Sequence, residues 1–288
     1  MSYRNIVVFL DQSTASETRL TIALNLAAEH DALLTAIYLD YIPFSPDVDY
    51  VVSGSQLEKY QADLKQHQQQ AEQSFAAAAR QANVRHTWIY GYTYETKQAI
   101  AFARSADLIV VGQFNPKDSI HYLNQEFVGR VLLGAGRPVL VVPHDNYPVD
   151  QAFRHVLIAW NGSRDAARAV ADSLPMLRWA TRITLLSIGQ DADPYLDTST
   201  LPRPDLKAYL HQHMIRAEIV ETHVGVSLVE WLLSNVGDRI LEHAHSQEYA
   251  VDLIVAGAYG HSRLDEYLLG GVTRTLLENS SIPLLLSH

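Results

Sequence analysis

Arg4-Asn5-Ile6-Val7-Val8-Phe9-Leu10-Asp11-Gln12-Ser13 returns 150 residues later as Arg154-His155-Val156-Leu157-Ile158-Ala159-Trp160-Asn161-Gly162-Ser163. Each copy opens on a basic residue, runs through apolar side chains, and closes on Asp or Asn with Ser two places on. A short apolar run with polar ends reads as a strand buried on both faces. Three more matches keep the same order. Asp107-Leu108-Ile109-Val110-Val111-Gly112 pairs with Asp252-Leu253-Ile254-Val255-Ala256-Gly257, Arg130-Val131-Leu132-Leu133 with Arg274-Thr275-Leu276-Leu277, and Pro138-Val139-Leu140-Val141 with Pro283-Leu284-Leu285-Leu286. Matches that keep their order point to a tandem duplication. The join falls near Pro143–Gln151, which gives an amino-terminal domain at 1–147 and a carboxyl-terminal domain at 151–288.

Strands and helical stretches alternate within each copy. The first predicts strands at Asn5–Leu10, Leu33–Leu39, His86–Tyr90, Asp107–Val111 and Val139–Val142, with helices near Ser16–Glu29, Ser55–Gln81, Thr96–Ala103 and Glu126–Leu133. The second predicts strands at His155–Trp160, Arg182–Ile188, Ala217–His223, Asp252–Ala256 and Leu284–Leu286. Its helices fall near Arg164–Trp179, Asp205–His213, Leu228–Ser246 and Gly271–Asn279. This alternation is the α/β class: two doubly wound domains, each a five-stranded parallel sheet of order 3-2-1-4-5. The fifth strands, Pro138–Pro143 and Pro283–Ser287, are apolar and fall at sheet edges, which must be covered. Pairing the two with each other would cover both.

Composition narrows the function classes. The formal charge is −10, and no basic arm or stripe stands out, which disfavours nucleic acid as a partner. No stretch approaches the ~20 apolar residues of a membrane span, and the start MSYRNIVVFLDQS lacks a secretory pattern, so a cytoplasmic location is expected. Absence of cysteine excludes disulfides and thiol catalysis. The His pairs His211/His213 and His243/His245 are two apart, which on a helix places them on different faces, so no metal site is expected. There is no Gly-x4-Gly-Lys-Ser/Thr loop.

In an open α/β sheet a ligand binds beyond the carboxyl ends of the strands, where strand order reverses. In the second half that place follows Trp160 and Ala256. Gly257-Ala258-Tyr259-Gly260 stands there, then nine residues, then Gly270-Gly271-Val272-Thr273. Gly257 leaves the strand end without a side chain, and Gly260 accepts a turn with positive φ. Gly270 and Gly271 open the last helix, whose unpaired N–H groups and dipole favour a phosphate. Thr273 adds a hydroxyl.

These residues make the sequence resemble the universal stress protein family, in its tandem two-domain form. The family's nucleotide-binding branch carries Gly-x2-Gly-x9-Gly-Ser/Thr, matched here by Gly257, Gly260 and Gly270. The resemblance implies a flavodoxin-like, adenine nucleotide alpha hydrolase-like fold and a nucleotide such as ATP, ADP or AMP; the charge of −10, which offers few cations to a triphosphate, adds Mg²⁺ to that expectation. By that resemblance Gly257, Ala258, Gly260, Gly270, Gly271, Val272 and Thr273 hold phosphate and ribose, while Asn161 and Ser163 line the base side. It further implies pairing of the domains through their fifth strands, a homodimer as an option, and a role as a stress-response sensor or regulator with a protein partner not identified by the sequence.

Two positions depart from the family pattern. Gly271 stands where the family has Ser or Thr, and Asn161 stands where it has Asp, which removes a charge while keeping hydrogen bonding. The first half departs further. Asn115 stands for Gly260, and Glu126, for Gly270, puts a carboxylate where a phosphate would need the helix N–H groups. Its expected role is packing and pairing, with Asp11 as a strand-end or capping residue. The rival reading for the whole chain is a nucleotide-free interaction scaffold. A slow ATPase is a third, with no catalytic residue positioned for it.

Overall fold

Strand β1 (Asn5–Leu10) lies at the middle of the first unit because its apolar run satisfies two faces at once: Ile6, Val8 and Phe9 are wholly buried. The computed structural model describes residues 2–40, 54–92, 95–117, 125–145, 147–148, 153–188, 205–224, 236–246, 250–258 and 271–288. Two units are distinguished, Ser2–Ala135 and Gly136–His288. In the first, β1 is followed by α1 (Ser16–His30), β2 (Leu33–Asp40), α2 (Gly54–Gln81), β3 (Arg85–Tyr92), α3 (Thr96–Ala103), β4 (Leu108–Gly112) and α4 (Gln125–Ala135). The strands run parallel in the order β3-β2-β1-β4. Helix α1 stops at Asp31, whose left-handed backbone (φ 52°) lets its N–H bond back to the last turn.

The second unit begins with β5 (Val139–Val142). It continues through β6 (His155–Trp160), α5 (Arg164–Leu177), β7 (Arg182–Ile188), α6 (Leu206–Gln212), β8 (Glu218–Val224), α7 (Val236–Ala244), β9 (Leu253–Gly257), α8 (Gly271–Asn279) and β10 (Leu284–Ser287). Five strands are parallel in the order β8-β7-β6-β9-β10, the expected 3-2-1-4-5. Strand β5 joins them antiparallel to β10, with Leu140 opposite Leu285 and Val141 opposite Leu284. Thus β5, which ends the first repeat in sequence, lies in space with the second unit, where it covers the apolar edge of β10. Among the described residues no helix is long and apolar enough to cross a membrane.

The aspartate before each fourth strand has a matching structural task. Asp107 Oδ2 accepts the N–H groups of Arg4 (2.7 Å) and Asn5 (3.0 Å). Asp252 Oδ2 accepts those of Arg154 (2.8 Å) and His155 (3.1 Å). Each clamps the start of its first strand to the start of its fourth. Burial pushes the Asp252 carboxyl from 3.8 up to about 6, against the backbone bonds that pull it down. The folded chain therefore holds that proton more tightly than the unfolded chain does. This contribution to stability is full at low pH and is lost as pH rises from about 4 through about 6. Asp252→Asn keeps one oxygen for both N–H groups and is expected to remove the loss. In urea unfolding, wild-type stability relative to the variant should decline between pH 4 and 6.5 and then level off; parallel profiles would contradict the assignment.

Candidate functional site

The turn after β6 is built by its own side chains. Asn161 Oδ1 accepts the Ser163 N–H at 3.1 Å, and between them Gly162 takes φ 72°, a left-handed conformation that favours glycine. The Ser163 hydroxyl accepts the Ala166 N–H at 3.2 Å and so caps α5. Asn161 is exposed and Ser163 half-buried. Both expected base-side residues therefore stand at the carboxyl end of β6, with their side-chain oxygens engaged in the turn and the cap.

Gly257, at the end of β9, faces the first turn of α5. A Cβ on it would lie 2.5 Å from Ala166 N and 2.6 Å from the Asp165 carbonyl carbon. The space in front of this glycine holds protein backbone, so close helix–strand packing is what requires a glycine here, in place of the open crevice expected from the sequence. Ala258 is wholly buried, and its N–H donates to Ser287 O at 2.8 Å.

On the other wing, Gly271 is the first residue of α8; it is exposed, and no described residue lies within 4 Å of where a Cβ would point. Val272 is half-buried and Thr273 is 4% exposed, so the Thr273 hydroxyl is turned into the protein. Gly260 and Gly270 lie outside the described residues, as do Tyr259, His261, Arg263, Asp265 and Glu266. Asn161, Ser163, Gly257 and Ala258 meet around the start of α5; Gly271, Val272 and Thr273 form the first turn of α8.

The model of the universal stress protein family matches residues 2–143 and again 152–288. The chain belongs to the universal stress protein family. A universal stress protein of Synechocystis sp. is 27% identical over 157 residues, 54% of this chain and 48% of that one, so the match spans about half of that relative's length. The solved universal stress protein of Archaeoglobus fulgidus superposes with a TM-score of 0.70 at 15% identity, covering 98% of this chain and 97% of that one, a likeness of fold. A Pseudomonas aeruginosa protein gives 0.55 at 13% identity, with 99% and 92% covered.

In this universal stress protein several residues at the site carry no motif signal. Arg164 donates from Nε and Nη2 to Asp165 Oδ1, both at 3.2 Å, and the buried Asp165 carboxylate stands in the first turn of α5, where the helix dipole favours it. His288 Nδ1 lies 3.2 Å from Ala258 O and 4.0 Å from Asp165 Oδ1. Gly237 of α7 lets two helices touch: a Cβ there would be 2.7 Å from Thr275 Cβ and 3.1 Å from Val272 O. That contact fixes the first turn of α8. None of these could be found from spacing, because each depends on which helix the fold lays beside which strand. Among the described residues no group of three or more His, Asp or Glu could hold a metal ion.

In the first half, Asn115 Oδ1 accepts the Lys117 N–H at 3.0 Å, and the exposed Glu126 carboxylate pairs with Arg130 at 2.8 Å. Asp11 does more than end β1: its buried carboxylate pairs with Arg19.

Proposed function

We propose that the second half of this universal stress protein binds one adenine nucleotide, with its phosphates at the amino end of α8 and its base toward Asn161 and Ser163. The observation that carries this reading is the start of α8. Gly271 brings no side chain of its own to the first turn, no described residue lies within 4 Å of where its Cβ would point, and Gly237 holds that turn in place against α7. N–H groups held in place at a helix start favour an anion. Gly260 and Gly270, with Gly257 and Ala258, belong to the same cradle by their spacing in the family motif. Thr273 supports the helix turn from inside. Asn161 supplies hydrogen bonding without charge. Mg²⁺ would accompany a triphosphate, since a chain of charge −10 has few cations to spare.

The duplicated halves, 1–147 and 151–288, are domains by descent, and the first serves packing and pairing. Acting in the cytoplasm, the protein would couple nucleotide occupancy to a stress response through a partner or through its own dimer. A second reading, a nucleotide-free scaffold, draws on the α5 backbone that fills the space before Gly257. Titration calorimetry with ATP, ADP and AMP, with and without Mg²⁺, separates the two. Gly271→Asp meets no described residue at its Cβ and is a favourable first-turn residue, so it is expected to melt no lower than wild type while weakening nucleotide by at least about tenfold. Unchanged affinity would remove α8 from the site.

A further inference from the structure

At the carboxyl ends of β1 and β4 the first unit holds a buried ion pair. Asp11 and Arg19 each have a side chain only 1% exposed, with Arg19 Nη2 at 3.0 Å from Asp11 Oδ1. The same oxygen accepts the Ser13 N–H at 2.9 Å and the Ser13 hydroxyl. The guanidinium lies directly against Gly112: a Cβ there would stand 2.2 Å from Nη1 and 3.0 Å from Cζ. The place where strand order reverses, and where open α/β sheets take ligands, is thus filled by a cation from the chain itself.

Burying a guanidinium is unfavourable unless a carboxylate meets it, because it stays charged at every ordinary pH. Helix packing alone does not demand it, and the duplicated half supplies the control. At the same offset of 150, Asp11 becomes Asn161 and Arg19 becomes Ala169, which is wholly buried. Gly112 becomes Gly257, whose neighbour is helix backbone in place of a side chain. The two charges are present together in one half and absent together in the other. Among the described residues Arg19 Nε is buried without a hydrogen-bond partner, so the guanidinium is placed by the Asp11 contact and by its fit over Gly112, not by a full set of bonds.

We propose that the carboxyl-end crevice of the first half is a guanidinium site, formed by Asp11, Ser13 and Gly112, whose resident ligand is the chain's own Arg19. The chemical class it accepts is a planar guanidinium or amidinium cation. The first half is therefore occupied from within, whatever the second half binds.

The test uses the full chain carrying Arg19→Ala, melted in guanidinium chloride or in sodium chloride at equal concentrations on the order of 50 mM, well below denaturing levels. Loss of one partner of a buried pair is expected to lower Tm by on the order of 10 °C. Guanidinium should return part of that loss, more at higher concentration as a bound ligand does, and sodium should not. Gly112→Ala gives a second readout: its added methyl should lower Tm beside Arg19 and have little effect in the Arg19→Ala background. If Arg19→Ala does not fold, the double variant Asp11→Asn, Arg19→Ala reproduces the neutral pair of the second half and takes its place in the Gly112→Ala comparison. Equal melting in the two salts, the same Gly112→Ala penalty with and without Arg19, or a double variant that cannot fold would each overturn the proposal.

Discussion

Gly257→Ala is expected to destabilise the protein by about 3 kcal/mol or more, and Gly257→Val further, because the new carbon has nowhere to go. The atoms it meets are main chain: Ala166 N at 2.5 Å and the Asp165 carbonyl carbon at 2.6 Å. Backbone in the first turn of a capped helix cannot rotate aside as the end of a side chain can. Relief would have to come from lifting α5 off β9, which would strip apolar contacts around the buried Ala166 and Ala169. In a chain of this size the expected fall in Tm is on the order of 10 °C. Wild-type melting by Gly257→Ala would mean that α5 does not lie against β9 as described. A variant that kept its stability and lost only nucleotide would restore the open-crevice reading of this glycine.

The second large effect concerns β5 and β10. Leu140 and Leu285 stand opposite each other in an antiparallel pair, and both are wholly buried. Directly opposed residues on one face bring their Cβ atoms within about 5.5 Å, close enough to pack. Leu140→Ala and Leu285→Ala should each cost about 3 kcal/mol in transfer and cavity terms. The double variant should cost less than the sum by about 0.5 kcal/mol or more, since the second truncation removes a contact already lost. Strict additivity in urea unfolding would contradict the register, and with it the assignment of β5 to the edge of β10.

That pairing shows how far the residues could be read before the structure. The order-preserving matches located both first strands and both fourth strands, and the apolar character of Val139–Val142 and Leu284–Ser287 demanded a cover. Sequence fixes periodicity and edges well because burial on two faces leaves no room for polar residues. It is silent on partners brought together by the fold. Arg19 looks like any charged residue early in a helix, and only its placement against Gly112 turns it into a buried cation. Gly257 carries a motif reading, yet its immediate neighbour is α5. Ser163 reads as a ligand-facing hydroxyl and serves as a helix cap, two roles that require the same residue type at the same place. Gly237 and His288 had no motif to announce them, although each touches an element of the site.

The two halves answer the same topological question differently. In the first, the reversal point holds the Asp11–Arg19 pair. In the second, both charges are gone, the helix has closed on Gly257, and α8 opens on Gly271. Any nucleotide is therefore expected in the second half alone. Native mass spectrometry of the gently purified full chain, with ATP, ADP or AMP added in turn, tests that assignment most directly. The expected result is one nucleotide per chain, lost in Gly271→Asp and retained in Arg19→Ala. Two nucleotides per chain, or none at millimolar concentration with and without Mg²⁺, would contradict it.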